Sequence, residues 1–367
     1  MDPRYLKNID WALFGATIAI VAFGCAMIYS ASSGGACASG YVEKQIVWAL
    51  LGLVGAIIAA SVTTTSLQRQ AGKCYGLSVI LLAAVLVMGH SSKGAQRWIS
   101  LGPVQIQPSE FAKLMLIVAL AVFLVRRQEE IRTLKTFALS FVYLAIPVGL
   151  IFKQPDLGTS FVLIAIWFSM VFVMGTDLKN IALFVGLGLA MGLIAWNTPG
   201  LMKDYQKQRV ITFVNPAADP LGSGYHVMQS RIAIGSGQIT GKGFLRGTQR
   251  KLSFIPEQHT DFIFTVVAEE LGFVGAGALV LLYFIVVWRG LNVMASTEDP
   301  LGRAIAAGVV GMLLFHIFVN IGMTLGIMPV TGVPLPFFSY GGSSLMANLM
   351  AIGLLEGISM RRHKISF

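Results

Sequence analysis

Long apolar runs separated by short polar stretches recur along the whole sequence, and they constrain the fold more than any other feature. An apolar run of about 20 residues can cross the hydrocarbon core of a bilayer as a helix, which satisfies its own backbone hydrogen bonds there. The sequence therefore predicts an all-α integral membrane protein with about ten transmembrane helices. The runs lie near 11–32, 46–62, 74–90, 108–125, 137–152, 158–175, 180–197, 262–288, 303–325 and 340–360.

The composition excludes a water-soluble globule of this size. Charged residues make up 12% of the chain and hydrophobic residues 55%, whereas soluble domains average about 25% charged residues. The net charge of +10 does not indicate a nucleic-acid partner, because the cations cluster between apolar runs instead of forming one basic face. Cys25, Cys37 and Cys74 show no paired spacing, so neither a disulfide framework nor a zinc site is expected.

The distribution of Lys and Arg predicts the orientation in the membrane. The first apolar run is longer than the 7–15 residues of a cleavable signal, so it is interpreted as a retained span. If the N-terminus is cytoplasmic, the inner loops carry fourteen Lys and Arg residues. The short outer loops then carry four: Lys44, Lys93, Arg97 and Lys153. The excess of Lys and Arg in the inner loops predicts a multi-pass protein with both termini in the cytoplasm.

One long polar segment, 198–262, separates the seventh and eighth runs. It is predicted to be a large extracytoplasmic loop within a single membrane domain that covers 1–367. Apolar residues recur at near-helical spacing in 205–214 and 225–234, which predicts short amphipathic helices along the outer membrane surface. The segment carries eight cations: Lys203, Lys207, Arg209, Arg231, Lys242, Arg246, Arg250 and Lys251.

Charged residues inside or beside the apolar runs are costly, and each has two interpretations. Glu110 and Lys113 share one helix face, where they form either a structural ion pair or a polar wall of a substrate cavity near Lys93 and Arg97. Asp156 either caps the following helix or lines the same cavity.

Three carboxylates stand at the start of the eighth run. Asp261 is either a helix-start carboxylate or a catalytic base. Glu269 and Glu270 follow, and at 100° per residue at least one of them should point into the bundle. The segment 334–344, rich in Pro and Gly, is either a plain loop or irregular backbone that lines a cavity.

Several strings, taken together and in order, are specific to one family. They are 92–98, 107–110 with Lys113, 154–159, 204–210, 241–243 with 247–249, 256–264 with 268–272, and 334–343. The chain resembles the SEDS glycosyltransferases (shape, elongation, division and sporulation). The strings 92–98 and 247–249 look more like the members that serve cell elongation than those that serve division. Gln238 departs from the family's pattern, in which glycine is expected.

The resemblance implies an enzyme with ten spans that polymerises peptidoglycan glycan from lipid II on the outer face of the cytoplasmic membrane. It implies that Asp261 is the essential catalytic residue. It also implies a class B penicillin-binding protein as working partner, beside lipid II, polyprenyl-pyrophosphate-linked glycan and other membrane proteins of the elongation complex.

The resulting hypothesis is an inverting β-1,4 glycosyl transfer with Asp261 as the base. Cations stabilise the departing lipid pyrophosphate, and Mg or Mn could share that charge, although the sequence shows no closed metal site. The donor sugar is carried on a lipid, so no nucleotide site is needed. The residues assigned to substrate binding are Lys93, Arg97, Glu110, Lys113, Asp156, Arg209, Lys242, Glu257, His259 and Thr260.

Two other functions remain open beside this hypothesis. A lipid II flippase would use Glu110, Lys113 and Asp156 for passage of a polar head group. A scaffold of the elongation machinery would need only surface contacts.

Overall fold

The computed structural model describes residues 8–33, 38–92, 95–101, 104–200, 202–216, 219, 222–248 and 258–361. Within these residues the chain forms twelve α-helices and one small sheet. The helices are α1 (Trp11–Ser32), α2 (Ala38–Ser61), α3 (Thr64–Met88), α4 (Pro108–Arg126), α5 (Leu134–Lys153), α6 (Leu157–Val173), α7 (Leu178–Asn197), α8 (Asp204–Val214), α9 (Ser223–Gly237), α10 (Ile263–Ser296), α11 (Pro300–Leu325) and α12 (Gly342–Arg361).

The predicted helical membrane fold is confirmed. Nine of the helices in the described residues are long and apolar enough to cross a membrane, and α6, an apolar helix of 17 residues, is slightly shorter. Each of the ten predicted runs therefore corresponds to a helix. The largest differences are that α2 and α3 begin eight and ten residues earlier than their apolar runs and that α10 ends eight residues later than its run. The first turns of α2 and α3 are polar, so hydropathy does not show where these helices begin.

A small sheet between α3 and α4 departs from the purely helical expectation. Its strands are β1 (His90–Ser92), β2 (Ala95–Leu101) and β3 (Val104–Ile106), in the order β1-β2-β3. Both pairs are antiparallel, with His90 opposite Trp98 and Ile99 opposite Ile106. β1 and β3 have three residues each, too few for a readable alternation, and the seven residues of β2 do not alternate strictly between apolar and polar. The sequence therefore indicated only a loop.

The centre of the bundle lies around α4, α11 and α12, where 78%, 72% and 83% of the most apolar window of each helix is buried. Helix α7 is the opposite case, with 6% of its window buried. Its contacts with the rest of the protein include the ring of Phe184, whose centroid is 4.7 Å from that of Trp167, and Nδ2 of Asn180, which donates to the carbonyl of Arg132. Most of the surface of α7 is therefore apolar and exposed, as expected for a helix that faces lipid.

The two predicted helices of the long loop are present as α8 and α9. Helix α9 packs against α10 and α11, so it belongs to the bundle and is more than a surface helix. Helix α8 exposes the apolar side chains of Val210, Ile211, Phe213 and Val214.

Candidate active site

Asp261 lies in a turn immediately before α10, and its backbone is held from several directions. The carbonyl oxygen of His259 accepts a hydrogen bond from the N–H of Tyr340 at 2.9 Å. The carbonyl of Thr260 accepts from Oγ of Ser339 at 2.6 Å, and that of Asp261 accepts from Nδ2 of Asn320 at 3.0 Å. Three consecutive carbonyl groups are thus bound by α11 and by the chain that follows it, which fixes the position of the half-buried Asp261.

The chain between α11 and α12, residues 326–341, forms one wall beside Asp261. It has irregular backbone, and its Phe337 and Phe338 are buried. Nδ2 of Asn320 also donates to the carbonyl of Val333 at 2.8 Å. Gly332 has a φ of +71°, and a Cβ at this position would lie 3.5 Å from Oδ2 of Asp261. Of the predicted segment 334–344, residues 334–341 are therefore irregular backbone that is largely buried, whereas 342–344 begin α12. That this backbone lines a substrate cavity stays a prediction.

Aromatic rings surround His259. Its ring lies 4.8 Å from that of Tyr41 on α2 and 5.6 Å from that of Tyr340, measured between centroids. Burial, with a smaller contribution from Tyr41, raises the pKa of Tyr340 above its usual value near 10, so its hydroxyl stays protonated at neutral pH. Tyr340 lies in the string 334–343, but no site role was predicted for it. No local pattern distinguishes Tyr41 from other interfacial tyrosines.

Arg97 and Asp156, both predicted site residues, meet each other. Nε of Arg97 lies 3.6 Å from Oδ2 of Asp156, and Nη2 of Arg97 donates to the carbonyl of Pro155. Asp156 also caps α6, since its Oδ1 accepts from the N–H of Thr159 at 3.1 Å. Asp156 can therefore cap α6 and hold Arg97 at the same time.

The Arg97–Asp156 pair lies near the same 326–341 segment as Asp261. A Cβ on Gly158, in the first turn of α6, would lie 2.9 Å from the carbonyl oxygen of Thr331. Close packing of α6 on Thr331 thus places the Arg97–Asp156 pair beside this segment. The residue after Thr331 is Gly332, which lies beside Asp261.

Arg209 on α8 also approaches this segment. Its Nη1 lies 3.5 Å from the carbonyl oxygen of Thr331. Arg209 lines a small cleft that is partly open to solvent, together with Thr212 and the apolar residues Phe213, Pro216, Val227, Met328, Pro329 and Val330.

Glu110 and Lys113 form a buried ion pair that contacts α11. Nζ of Lys113 lies 2.9 Å from Oε2 of Glu110 and 3.3 Å from Nε2 of His316, and both side chains of the pair are at most 4% exposed. His316 is a partner that the sequence did not identify. The pair joins α4 to α11, and its contacts are with these two helices.

Lys242 contacts Glu269, and no described contact brings it to Asp261. Its Nζ lies 2.7 Å from Oε1 of Glu269 and 2.7 Å from Oγ1 of Thr248. Glu269 and Glu270 are both buried. At least one of these two carboxylates was expected to point into the bundle, and both do.

Two predicted site residues, Lys93 and Glu257, lie outside the described residues. Within the described part of the chain, no three His, Cys, Asp or Glu side chains form a group that could hold a metal ion. The participation of Mg or Mn stays a prediction.

Comparison with known proteins identifies the family. Residues 10–364 match the FtsW/RodA/SpoVE family, described as "Cell cycle protein". Peptidoglycan glycosyltransferase MrdB of Escherichia coli K12 is 41% identical over 359 residues, which cover 98% of this chain and 95% of that protein. Peptidoglycan glycosyltransferase RodA of Treponema pallidum is 35% identical over 433 residues, covering 99% of this chain and all of that protein.

Solved structures agree with these relatives. A chain from a structure described as "Structural coordination of polymerization and crosslinking by a peptidoglycan synthase complex" is 36% identical, with a TM-score of 0.82. The match covers 97% of this chain and 99% of that one. The crystal structure of the rod shape determining protein RodA of Thermus thermophilus matches with a TM-score of 0.70, 33% identity and coverages of 97% and 98%. The resemblance stated from the motifs is thus confirmed, and this chain belongs to the FtsW/RodA/SpoVE family.

Proposed function

We propose that this chain, a membrane-embedded peptidoglycan glycosyltransferase that polymerises glycan strands for cell elongation, uses Asp261 as its general base. The observation that carries the proposal is the binding of three consecutive carbonyl groups, those of residues 259–261, by Tyr340, Ser339 and Asn320. A carboxylate on a backbone fixed in this way is pre-positioned, and positioning of reacting groups contributes a large part of enzymatic rate enhancement.

In the proposed reaction, the Asp261 carboxylate takes the proton of the 4-hydroxyl of the N-acetylglucosamine of lipid II. The oxygen forms a bond to the anomeric carbon of the N-acetylmuramic acid at the end of the growing chain. The bond from that carbon to the pyrophosphate oxygen breaks, the configuration inverts to β-1,4, and the polyprenyl pyrophosphate leaves with the bonding electrons. A positioned general base contributes about 10²–10⁴-fold to such a step.

Arg209 and Arg97 are the cations that we assign to the leaving pyrophosphate. Guanidinium groups bind phosphate oxygens in a bidentate manner, and fixed cations stabilise charge that develops in the transition state. Arg209 is supported by its approach to Thr331, the residue before Gly332. The exposed apolar side chains of α8 suit the hydrocarbon tail of a polyprenyl pyrophosphate. Asp156 offsets part of the charge of Arg97 and holds its orientation.

His259 and Thr260 belong to the same proposed substrate-binding region through the turn that they share with Asp261. Lys93 and Glu257 are proposed from the motifs alone. Glu110 and Lys113 are proposed to act on substrate only through the shape of the bundle interior, because their charged groups bind each other and His316.

The orientation and the partners are also part of the proposal. The protein is multi-pass, and the excess of Lys and Arg in alternate loops supports cytoplasmic termini with Asp261 on the extracytoplasmic side. The structural relative belongs to a peptidoglycan synthase complex that coordinates polymerisation and crosslinking. That supports a class B penicillin-binding protein as the crosslinking partner here, together with other membrane proteins of the elongation complex.

The decisive experiment measures polymer formation from lipid II by the purified full-length chain. We expect wild type to make glycan polymer and Asp261→Ala and Asp261→Asn to make none. Asp261→Asn preserves the shape of the side chain and removes the base. Asp177→Asn is the matched control, because Asp177 is an exposed aspartate that caps α7, and it should retain activity.

The other candidate functions give different results in the same experiment. A flippase moves lipid II between leaflets of a vesicle without making polymer, and a scaffold does neither. Polymer formation by Asp261→Asn at the wild-type rate would show that Asp261 is not the base.

A further inference from the structure

The helix that follows Asp261 is not continuous. Gly272, inside α10, has a φ of +64° and a ψ of −158°, so it divides the helix into residues 263–271 and 273–296. The first part is about 14 Å long at 1.5 Å per residue. It carries Asp261 two residues before its start and Glu269 and Glu270 at its end.

A loop from the long polar segment, residues 238–248, covers this break. The N–H groups of Lys242 and Gly243 donate to the carbonyls of Glu269 and Glu270 at 3.0 and 2.8 Å. In return, the N–H groups of Phe273 and Val274 donate to the carbonyls of Gln238 and Ile239 at 2.8 and 3.1 Å. The loop thus binds backbone groups that the interruption of the helix leaves without helical partners.

Only glycine fits where the two backbones meet. A Cβ on Gly241 would lie 2.2 Å from the carbonyl oxygen of Glu270, and a Cβ on Gly272 would lie 2.3 Å from the nitrogen of Gly241. Both residues also have positive φ, which disfavours other side chains. The contact between loop 238–248 and α10 is therefore specified by sequence.

Side chains join the same two elements. Oε1 of Glu269 accepts hydrogen bonds from Nζ of Lys242 at 2.7 Å and from the N–H of Thr248 at 2.8 Å. Oε2 and Oε1 of Glu270 accept from the N–H groups of Leu245 and Gly247 at 3.1 and 3.2 Å. A buried carboxylate such as Glu269 is stable only if it is paired and hydrogen-bonded, and Lys242 supplies the opposite charge.

We propose that Lys242 is a positioning residue whose ion pair with Glu269 fixes loop 238–248 on α10 and thereby holds Asp261 in its working place. The pair acts at one end of the 263–271 helix, and Asn320, Ser339 and Tyr340 act at the other. Loss of the pair lets the short helix shift, and a shift of about 1 Å at a reacting group can cost 100-fold in rate. In this role Lys242 has a protein carboxylate as its partner in place of the substrate pyrophosphate. The inference rests on Asp261 as the proposed base.

The test exchanges the two charges in the full-length protein. Lys242→Glu and Glu269→Lys should each lower the rate of polymer formation from lipid II at least 100-fold, because each puts like charges together. The double variant restores an opposite pair and should be at least tenfold more active than either single variant, although the lysine of Glu269→Lys cannot accept the hydrogen bond of the Thr248 N–H. Lys135→Glu, which reverses an exposed lysine on α5, is the control and should leave the rate unchanged.

A second variant separates positioning from substrate binding. Lys242→Met removes the charge without reversing it, and we expect kcat to fall while KM for lipid II stays within threefold of wild type. Three results would each overturn the proposal. The first is a double charge-reversal variant that is no more active than Lys242→Glu. The others are a tenfold rise of KM in Lys242→Met and wild-type kinetics in Lys242→Met. Asp261→Asn is measured in parallel. If that variant is active, the proposed base is wrong; if it is inactive, a failed charge exchange counts against the role of Lys242 alone.

Discussion

The side chain of Asn320 binds the carbonyl oxygens of Asp261 and Val333 at the same time. Its Nδ2 lies 3.0 Å from the first and 2.8 Å from the second. Asn320 is fully buried on α11, and its Oδ1 accepts no hydrogen bond from the described residues. One amide group thus joins the turn that carries Asp261 to the irregular chain between α11 and α12.

Replacement of Asn320 by Ala should lower the rate of polymerisation without abolishing substrate binding. Two buried carbonyl groups lose a donor, which costs about 1–3 kcal/mol each, and Asp261 loses a fixed position. We expect kcat to fall about 100-fold, with KM for lipid II within threefold of wild type. Steady-state polymerisation assays measure both constants.

Asn197→Ala is the control for this variant, because Asn197 is an exposed asparagine at the end of α7. It should retain wild-type kinetics. A kcat for Asn320→Ala within threefold of wild type would mean that the other two carbonyl contacts suffice to hold Asp261.

Arg97 and Asp156 should be energetically coupled. The Asp156 side chain is 6% exposed and that of Arg97 24%, so solvent screens their interaction only in part. A double-mutant cycle of Arg97→Ala and Asp156→Asn, read out by thermal unfolding in detergent, should give a coupling energy of about 1 kcal/mol. Asp156→Asn keeps a side-chain oxygen for the cap of α6, so the cycle reports mainly the charge interaction.

The same cycle between Arg97 and Asp177 supplies the comparison. Asp177 and Asp156 lie beyond opposite ends of α6, and distant residues are additive. Equal coupling in the two cycles would show that the Arg97–Asp156 contact contributes nothing of its own.

Removal of Lys113 should destabilise the protein more than removal of the whole pair. Lys113→Met leaves Glu110 as a buried carboxylate without its cation, which costs about 3–5 kcal/mol. The double variant Glu110→Gln, Lys113→Met replaces both charges and should recover most of the lost thermal stability. Lys135→Met, at an exposed position, should have no effect. A double variant as unstable as Lys113→Met would contradict this account of the pair.

The stability of the long-loop region should fall in acid because of His226 on α9. Burial lowers the pKa of His226 below its usual 6.5, and the nearby Asp219 offsets this only in part. The folded state therefore favours the neutral ring, whereas the unfolded chain binds a proton once the pH falls below about 6.5. The contribution of His226 to stability is complete above that pH and is lost as the pH falls through it toward the lower folded pKa.

His226→Gln removes this titration. We expect the melting temperature of wild type to decline more between pH 7.5 and pH 5.5 than that of His226→Gln. Parallel declines in the two proteins would assign the acid sensitivity to other groups.

Most of the fold could be predicted from local sequence. The positions of ten apolar helices follow from run length and hydropathy, because a helix in a bilayer satisfies its hydrogen bonds within its own segment. The sheet of residues 90–106 and the break at Gly272 could not be predicted this way. The strands are short, and the break depends on backbone partners in loop 238–248, which precedes α10 in the chain.

The residues of the candidate site also fall into two groups, those that the sequence marked and those that it did not. The motif around Asp261 and its resemblance to a known family marked the carboxylate, and the interior charges Glu110, Lys113 and Asp156 were visible because such groups are rare in apolar runs. Asn320 and Tyr41 carried no such signal, and Tyr340 lay in the string 334–343 without an assigned role. Their importance comes from contacts with residues far away in the chain.

The sequence by itself determined that this chain is a bundle of membrane helices with a polar segment that leads to Asp261, since both are properties of consecutive residues. Only the tertiary structure decided which charges meet. Lys242 was one of eight cations in the polar segment 198–262, and it has a specific partner because the fold places it beside Glu269. Pairing of buried charges depends on distances of a few ångströms between separate elements, and spacing along the chain does not encode those distances.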